Sequence, residues 1–233
     1  MSKENGKNNN NGRNEGNGKN DENGRYVYCM IKAPLQQKSF GNIGFGGEEV
    51  YTLDYRDFAP VVSNAPVKNY EVNDEEVELH RKVVEHVMKE HDVIPVAYGM
   101  SFKNKKLLLF AMSAGYKAMR KAMSEITNKV ELGVKVLLPK EDASWDGKEK
   151  CRSEFMEVLK KNKTQSKELK LFSDRLVMNA AFLVDRDKIE VFSDEIGKLE
   201  NKYANLKVQY SGPWPPYNFV DIQILSKRKG GFR

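Results

Sequence analysis

The run VMNAAFLVDR, from Val177 to Arg186, restricts the possible folds more than any other stretch of the chain. It is short and almost wholly apolar, which suits a buried strand and little else. A buried strand needs neighbours in its sheet and helices above it, and the flanking sequence offers both. Upstream, NKVELGVKVLLP (Asn128 to Pro139) alternates with the period of two of a strand, and ASWDGKEK opens a helical region expected to reach about Leu176, with a break near Lys163 to Ser166. Downstream, Ile189, Phe192, Ile196, Leu199, Tyr203 and Leu206 form a stripe at helical spacing. LKVQYSG and NFVDIQI then read as two last strands.

The first half follows the same style. RYVYCMI begins a strand expected over Tyr26 to Lys32. After a loop with four glycines between Gly41 and Gly47, EVYTLDY and DFAPVVSN read as two short strands with a tight turn near Asp54 to Asp57. Asn73 caps a helix, with Glu76 three residues on as in a capping box and acidic side chains in the first turn. Val77, Val84, Val87 and Met88 make its apolar face, and it should stop near His91. DVIPVAYGMSF reads as a strand that Pro95 confines to an edge or bulge. A second helix from Lys105 to about Thr127 places Leu109, Met112, Tyr116, Met119, Met123 and Ile126 on one side.

The expected fold is therefore α+β, with two small sheets each covered by helices. The expected organisation is an Asn/Gly-rich disordered tail at 1–24, an N-terminal α+β domain at 25–127, a C-terminal α+β domain at 128–225 and a basic tail at 226–233. The first 24 residues hold nine Asn and five Gly and cannot supply a core. No apolar run approaches the roughly 20 residues that span a bilayer, and no secretory signal opens the chain. Cys29 and Cys151 match no metal spacing or redox pair, so free thiols and a cytoplasmic location are expected.

A search for chemistry finds no converging set of groups. His80, His86 and His91 sit six and five residues apart, unlike the i, i+4 pair of a helical zinc site. His80 falls on the apolar side of its helix and His91 at its C-terminal end, where a cation is favoured. The glycine loop lacks both the Lys-Ser/Thr of a phosphate-binding loop and a helix after it. Catalytic residues, metal ligands and cofactors are accordingly expected to be absent. The net charge of +6 admits a second reading, a basic single-stranded nucleic-acid-binding protein with a ferredoxin-like sheet, but the positive charges are mostly interleaved with acids. Nucleic acid is the disfavoured partner.

SGPWPPYNFV, Ser211 to Val220, packs three of the eight prolines and three aromatics into ten residues. Together with KVELGVKV, MNAAFLVDR, RYVYCMI, DFAPVVSNAPV and VIPVAYGMSF, it resembles the accessory gas vesicle proteins of the F/L family, over roughly Tyr26 to Leu225. Leu132 stands where that family suggests a tryptophan and Cys29 where a glycine is common. The resemblance implies a two-domain, non-catalytic α+β protein with ferredoxin-like character. Its implied partners are the small apolar shell protein of gas vesicles, whose aggregation it would limit while helping the wall nucleate and assemble, and other gas vesicle accessory proteins. The implied location is the gas vesicle and the cytoplasm. Trp214, Tyr217 and Phe219 are candidate partner-binding anchors. Gly212, Pro213, Pro215, Pro216 and Asn179 are candidates for a structural motif, with the prolines stiffening a turn between the last two strands.

Overall fold

A computed structural model describes residues 24–139, 145–161, 165–220 and 222. Apart from Gly24, the Asn/Gly-rich head lies outside these residues, as does the basic tail.

The first sheet is built from β1 (Gly24–Lys32), β2 (Ser39–Gly41), β3 (Val50–Thr52), β4 (Phe58–Ala65), β5 (Ile94–Pro95) and β6 (Ser101–Phe102). Its order is β2-β3-β4-β1-β5, with β6 also on β1, and every pairing is antiparallel. The segment expected as one strand, DVIPVAYGMSF, is thus two short strands against one neighbour. Gly99, with φ +86°, lies in the turn that separates them. The two faces of β1 serve different helices. Tyr26, Tyr28 and Ile31 share a core with α1 (Asp74–Met88), while Val27 and Met30 share one with α2 (Lys105–Ile126).

α1 begins as its sequence dictates, with the Asn73 side chain accepting from the backbone N–H groups of Glu75 and Glu76. Glu76 does not complete a capping box. Its carboxylate turns to the Tyr98 hydroxyl, which donates to it. The helix ends at Met88, three residues before His91. The buried face of α2 includes Met112, Met119, Met123 and Ile126 of the expected stripe, with Leu108 and Gly115 buried in place of Leu109 and Tyr116. Leu109 and Tyr116 lie half-buried at its rim.

The second sheet comprises β7 (Lys129–Leu137), β8 (Gln165–Glu168), β9 (Leu176–Asp185) and β10 (Lys207–Trp214), with α3 (Lys148–Lys160) and α4 (Ile189–Lys202). Chain order is β-α-β-β-α-β, and the antiparallel sheet runs β10-β7-β9-β8. This is the ferredoxin-like arrangement. β9 is buried at nine consecutive positions, as VMNAAFLVDR demands, because the sheet is covered on both sides of this central strand.

Helix does not continue to Leu176, since α3 stops at Lys160 and QSKE forms β8 on the outer side of β9. The last strand expected over NFVDIQI is not formed where it is described: Asn218 and Phe219 belong to a turn, and Val220 and Ile222 are irregular. Asp221 and the rest of that run lie outside the described residues.

Candidate partner-binding surface

The run SGPW is the end of β10 rather than a turn. Its pairing with β7 shifts register between Ser211 and Trp214. At this irregularity Gly212 has φ +114°, and a Cβ there would lie 2.8 Å from the Glu131 carbonyl oxygen, so both backbone conformation and space require glycine. The Gly212–Pro213 peptide is cis. Pro215 and Pro216 are buried, and their carbonyls accept from the N–H groups of Tyr217 (2.7 Å) and Phe219 (3.0 Å). The proline-rich segment therefore folds back over its own sheet.

Glu131 on β7 fixes the turn, a role no sequence pattern announced. Its two carboxylate oxygens accept separately from Asn218, at 2.8 Å from the backbone N–H and 2.6 Å from the side-chain amide. The residue is only 6% exposed, and burial raises its pKa against the lowering effect of these two bonds. A carboxylate inside an alternating strand looks like a solvent-facing residue until the segment that covers it is placed.

The three aromatic candidates take different positions on this turn. Trp214 is half-buried, its Nε1 donating to Ser211 Oγ at 3.2 Å and its ring 5.3 Å beneath the Arg81 guanidinium of α1. Phe219 packs against the α2 core with Val220 and Ile222, with Lys167 of β8 5.9 Å from its ring. Tyr217 remains 38% exposed. Burial of its hydroxyl end raises its pKa, with Cys29, Glu85 and Glu131 adding to the rise and Arg81 opposing it. Trp214 thus ties the end of the second sheet to α1, Phe219 packs on the core that α2 shares with Leu183 of β9, and Tyr217 keeps a face to solvent. Asn179 is not part of this group. It sits four residues from Leu183 on β9, where its side-chain amide donates to Lys170 O at 2.9 Å and its backbone carbonyl accepts from Leu169 N at 2.7 Å.

Beside the turn runs a free strand edge. Among the described residues β10 pairs with β7 alone, and six of its eight residues are exposed. Leu107 and Phe110 on α2, and Leu171 and Phe172 after β8, are further exposed apolar side chains.

The histidines, the glycine loop and the cysteines are engaged in structure. His80 is buried, with Nε2 3.0 Å from Val96 O and Nδ1 2.9 Å from the Tyr26 hydroxyl. A carbonyl can only accept, so Nε2 carries the proton and Nδ1 receives that of Tyr26. Burial pushes the His80 pKa down to about 4. His91 lies beyond the helix end, 3.2 Å from Lys38 Nζ, where burial first and Lys38 second lower its pKa. In the glycine loop, Gly41, Gly46 and Gly47 have positive φ, and the Phe45 N–H donates to the Tyr28 hydroxyl. Cys29 and Cys151 are free and buried. Burial raises both thiol pKa values, that of Cys151 to about 11. Among the described residues, no group of three or more His, Cys, Asp or Glu is placed to hold a metal ion, and no helix is long and apolar enough to cross a membrane.

The family model described as gas vesicle synthesis protein GvpL/GvpF matches residues 24–150 and 141–221. Gas vesicle protein F1 of Halobacterium salinarum is 38% identical over 191 residues, covering 81% of this chain and 89% of that protein. Gas vesicle protein F of Haloferax mediterranei is 41% identical over 192 residues, covering 80% and 88%. Among solved structures, gas vesicle protein GvpF from Anabaena sp. PCC7120 superposes with a TM-score of 0.77 at 19% identity, covering 86% of this chain and 99% of that one. GvpF from Microcystis aeruginosa superposes with a TM-score of 0.72 at 16% identity, covering 85% and 99%.

Proposed function

Since the chain belongs to the gas vesicle synthesis protein GvpL/GvpF family, we propose that it acts in gas vesicle formation without catalysing a reaction, by covering apolar shell protein until that protein enters the wall. A subunit of a gas-filled wall must hide an apolar surface before assembly, and such a surface aggregates when left open. The partners in this reading are the shell protein and other gas vesicle accessory proteins. Its place of action is the growing vesicle and the surrounding cytoplasm.

The observation that carries the reading is the edge of β10 that no other described strand covers. An unpaired strand edge can accept an extended segment of another chain through main-chain hydrogen bonds. Natural edges are guarded against indiscriminate pairing, and here Lys207 and Pro213 stand near the two ends of the strand. That leaves Val208 to Gly212 for a partner, with Tyr217 as the exposed anchor. Trp214 and Phe219, with Gly212, Pro213, Pro215 and Pro216, hold the edge in position.

Coexpression with a gas vesicle shell protein tests this. In an antiparallel strand, successive residues direct their backbone groups to opposite neighbours. One of Gln209→Pro and Tyr210→Pro therefore removes a bond to β7, and the other removes only an outward N–H. Wild type should raise the soluble fraction of shell protein, and the proline variant that keeps the wild-type melting temperature should lose this effect. Undiminished rescue by that variant would move the contact elsewhere, and no rescue by wild type would remove the proposed function.

A further inference from the structure

On the α1 side of the first sheet lies a cluster of six rings: Tyr26, Tyr28, Phe45, Tyr70, His80 and Tyr98. Tyr26 is at its centre, 4.6 Å from Phe45 and 5.0 Å from Tyr70 between ring centroids. The inner members satisfy one another, as His80 and Tyr26 do. The outer members open on a cavity of about 380 Å³, lined by Phe45, Tyr70, Asn64, Glu48, Glu76 and Lys68. Nothing in the proposed shell-protein contact uses this cavity.

Its lining matches the needs of an alkylammonium ion. Phe45 and Tyr70, with centroids 5.8 Å apart, supply two aromatic rings to its lining, and an aromatic quadrupole attracts a cation to the ring face. Glu48 and Glu76 supply two carboxylates, against the single ammonium of Lys68. The chain itself demonstrates the fit, because Lys68 Nζ lies 4.9 Å from the Tyr70 centroid and 3.6 Å from Glu76 Oε1. The Lys68 side chain is 50% exposed and enters from the surface, so it can leave the cavity without disturbing the core. The chain as a whole carries +6, which makes a pocket with more acids than bases a local reversal of sign. Charge complementarity then selects a basic partner.

We propose that this cavity is a receptor for a lysine side chain of a partner protein, with Lys68 as the internal occupant that the incoming ammonium displaces. A lysine presented on a polypeptide is favoured over a free amine because the present occupant is itself one. The exchange conserves the cation–π contact and the Glu76 ion pair, so the displaced Lys68 sets a threshold that only a well-presented lysine exceeds.

The test is an NMR titration of the full chain, labelled at Phe and Tyr, with acetyl-Gly-Lys-Gly-amide, its norleucine counterpart and pentylamine. The lysine peptide should shift the Tyr70 and Phe45 ring resonances, while norleucine should not. Lys68→Ala, a half-exposed position, should tighten binding about 5-fold, and Tyr70→Leu should weaken it about 5-fold, the size of one cation–π contact. Glu76→Gln should also weaken it. Absence of ring shifts up to about 10 mM peptide in both wild type and Lys68→Ala would overturn the proposal. Equal shifts from norleucine would do the same, and tighter binding of pentylamine than of the peptide would make this a small-amine site instead.

Discussion

His80 is the residue whose chemistry depends most on its surroundings. Its sequence position, between Val77 and Val84, already placed it on the apolar side of α1, but the partners that make it neutral come from β1 and from the segment after β5. With its pKa pushed down to about 4 from the ordinary 6.5, the unfolded chain binds the proton more readily. The stabilising effect is therefore complete above about pH 6.5 and is lost as pH falls towards 4, a change of about 3 kcal/mol in total. His80→Leu should be less stable at pH 7 by about 1–3 kcal/mol, through the unpaired Tyr26 hydroxyl and Val96 carbonyl, and its denaturant midpoint should vary less between pH 7 and 4. An unchanged slope in that variant would assign the acid sensitivity to carboxylates. Glu131 shows the limit of reading at this scale. Its pairing with Asn218 joins positions 87 residues apart, and no local pattern in KVELGVKV marks it.

At the scale of elements, what local sequence controls was legible, and what pairing controls was not. The Asn73 cap, the ends of α2, the Tyr55–Phe58 turn and the buried strand β9 all follow from nearby residues. QSKE is polar and short, and only its place beside β9 makes it a strand, which is why helix was expected there. NFVDIQI has the apolar content of a strand, yet Asn218 is drawn to Glu131 and Phe219 to the α2 core. The same division gives a pair of contrasting outcomes. Asn73→Ala removes a side-chain acceptor for two N–H groups at an exposed helix start, and should cost about 1 kcal/mol. Gly212→Ala forces a Cβ against the Glu131 carbonyl at positive φ, and should cost more than that cap. Thermal melts of the two variants measured together check the ranking, and equal shifts would mean that the β10 irregularity relaxes.

For the whole molecule, the composition and the order of helices and strands gave the α+β class, and the second half resolved into a ferredoxin-like unit once β8 was placed. The division proposed near residue 127 separates the sheets but not the packing. Leu183 of β9 belongs to the α2 core, Arg186 Nη2 donates to Met88 O at 3.1 Å, and Trp214 lies beneath Arg81. Two units that share buried surface in this way should unfold together, because neither exposes its side of the contact without cost to the other. Calorimetry of the full chain should give one transition with a van't Hoff enthalpy near the calorimetric one, and two resolved transitions would instead make the halves independent domains. Phe219 is the sharpest probe of this coupling, since it packs, partly buried, against the core in which α2 of the first half and Leu183 of the second meet. Phe219→Ala should lower stability by about 1–3 kcal/mol, less than for a fully buried ring, while the transition stays single. If that one substitution splits the transition, the C-terminal turn is the tie that makes the molecule cooperative. The proline-stiffened segment would then act chiefly to hold the β10 edge in a fixed relation to the first sheet.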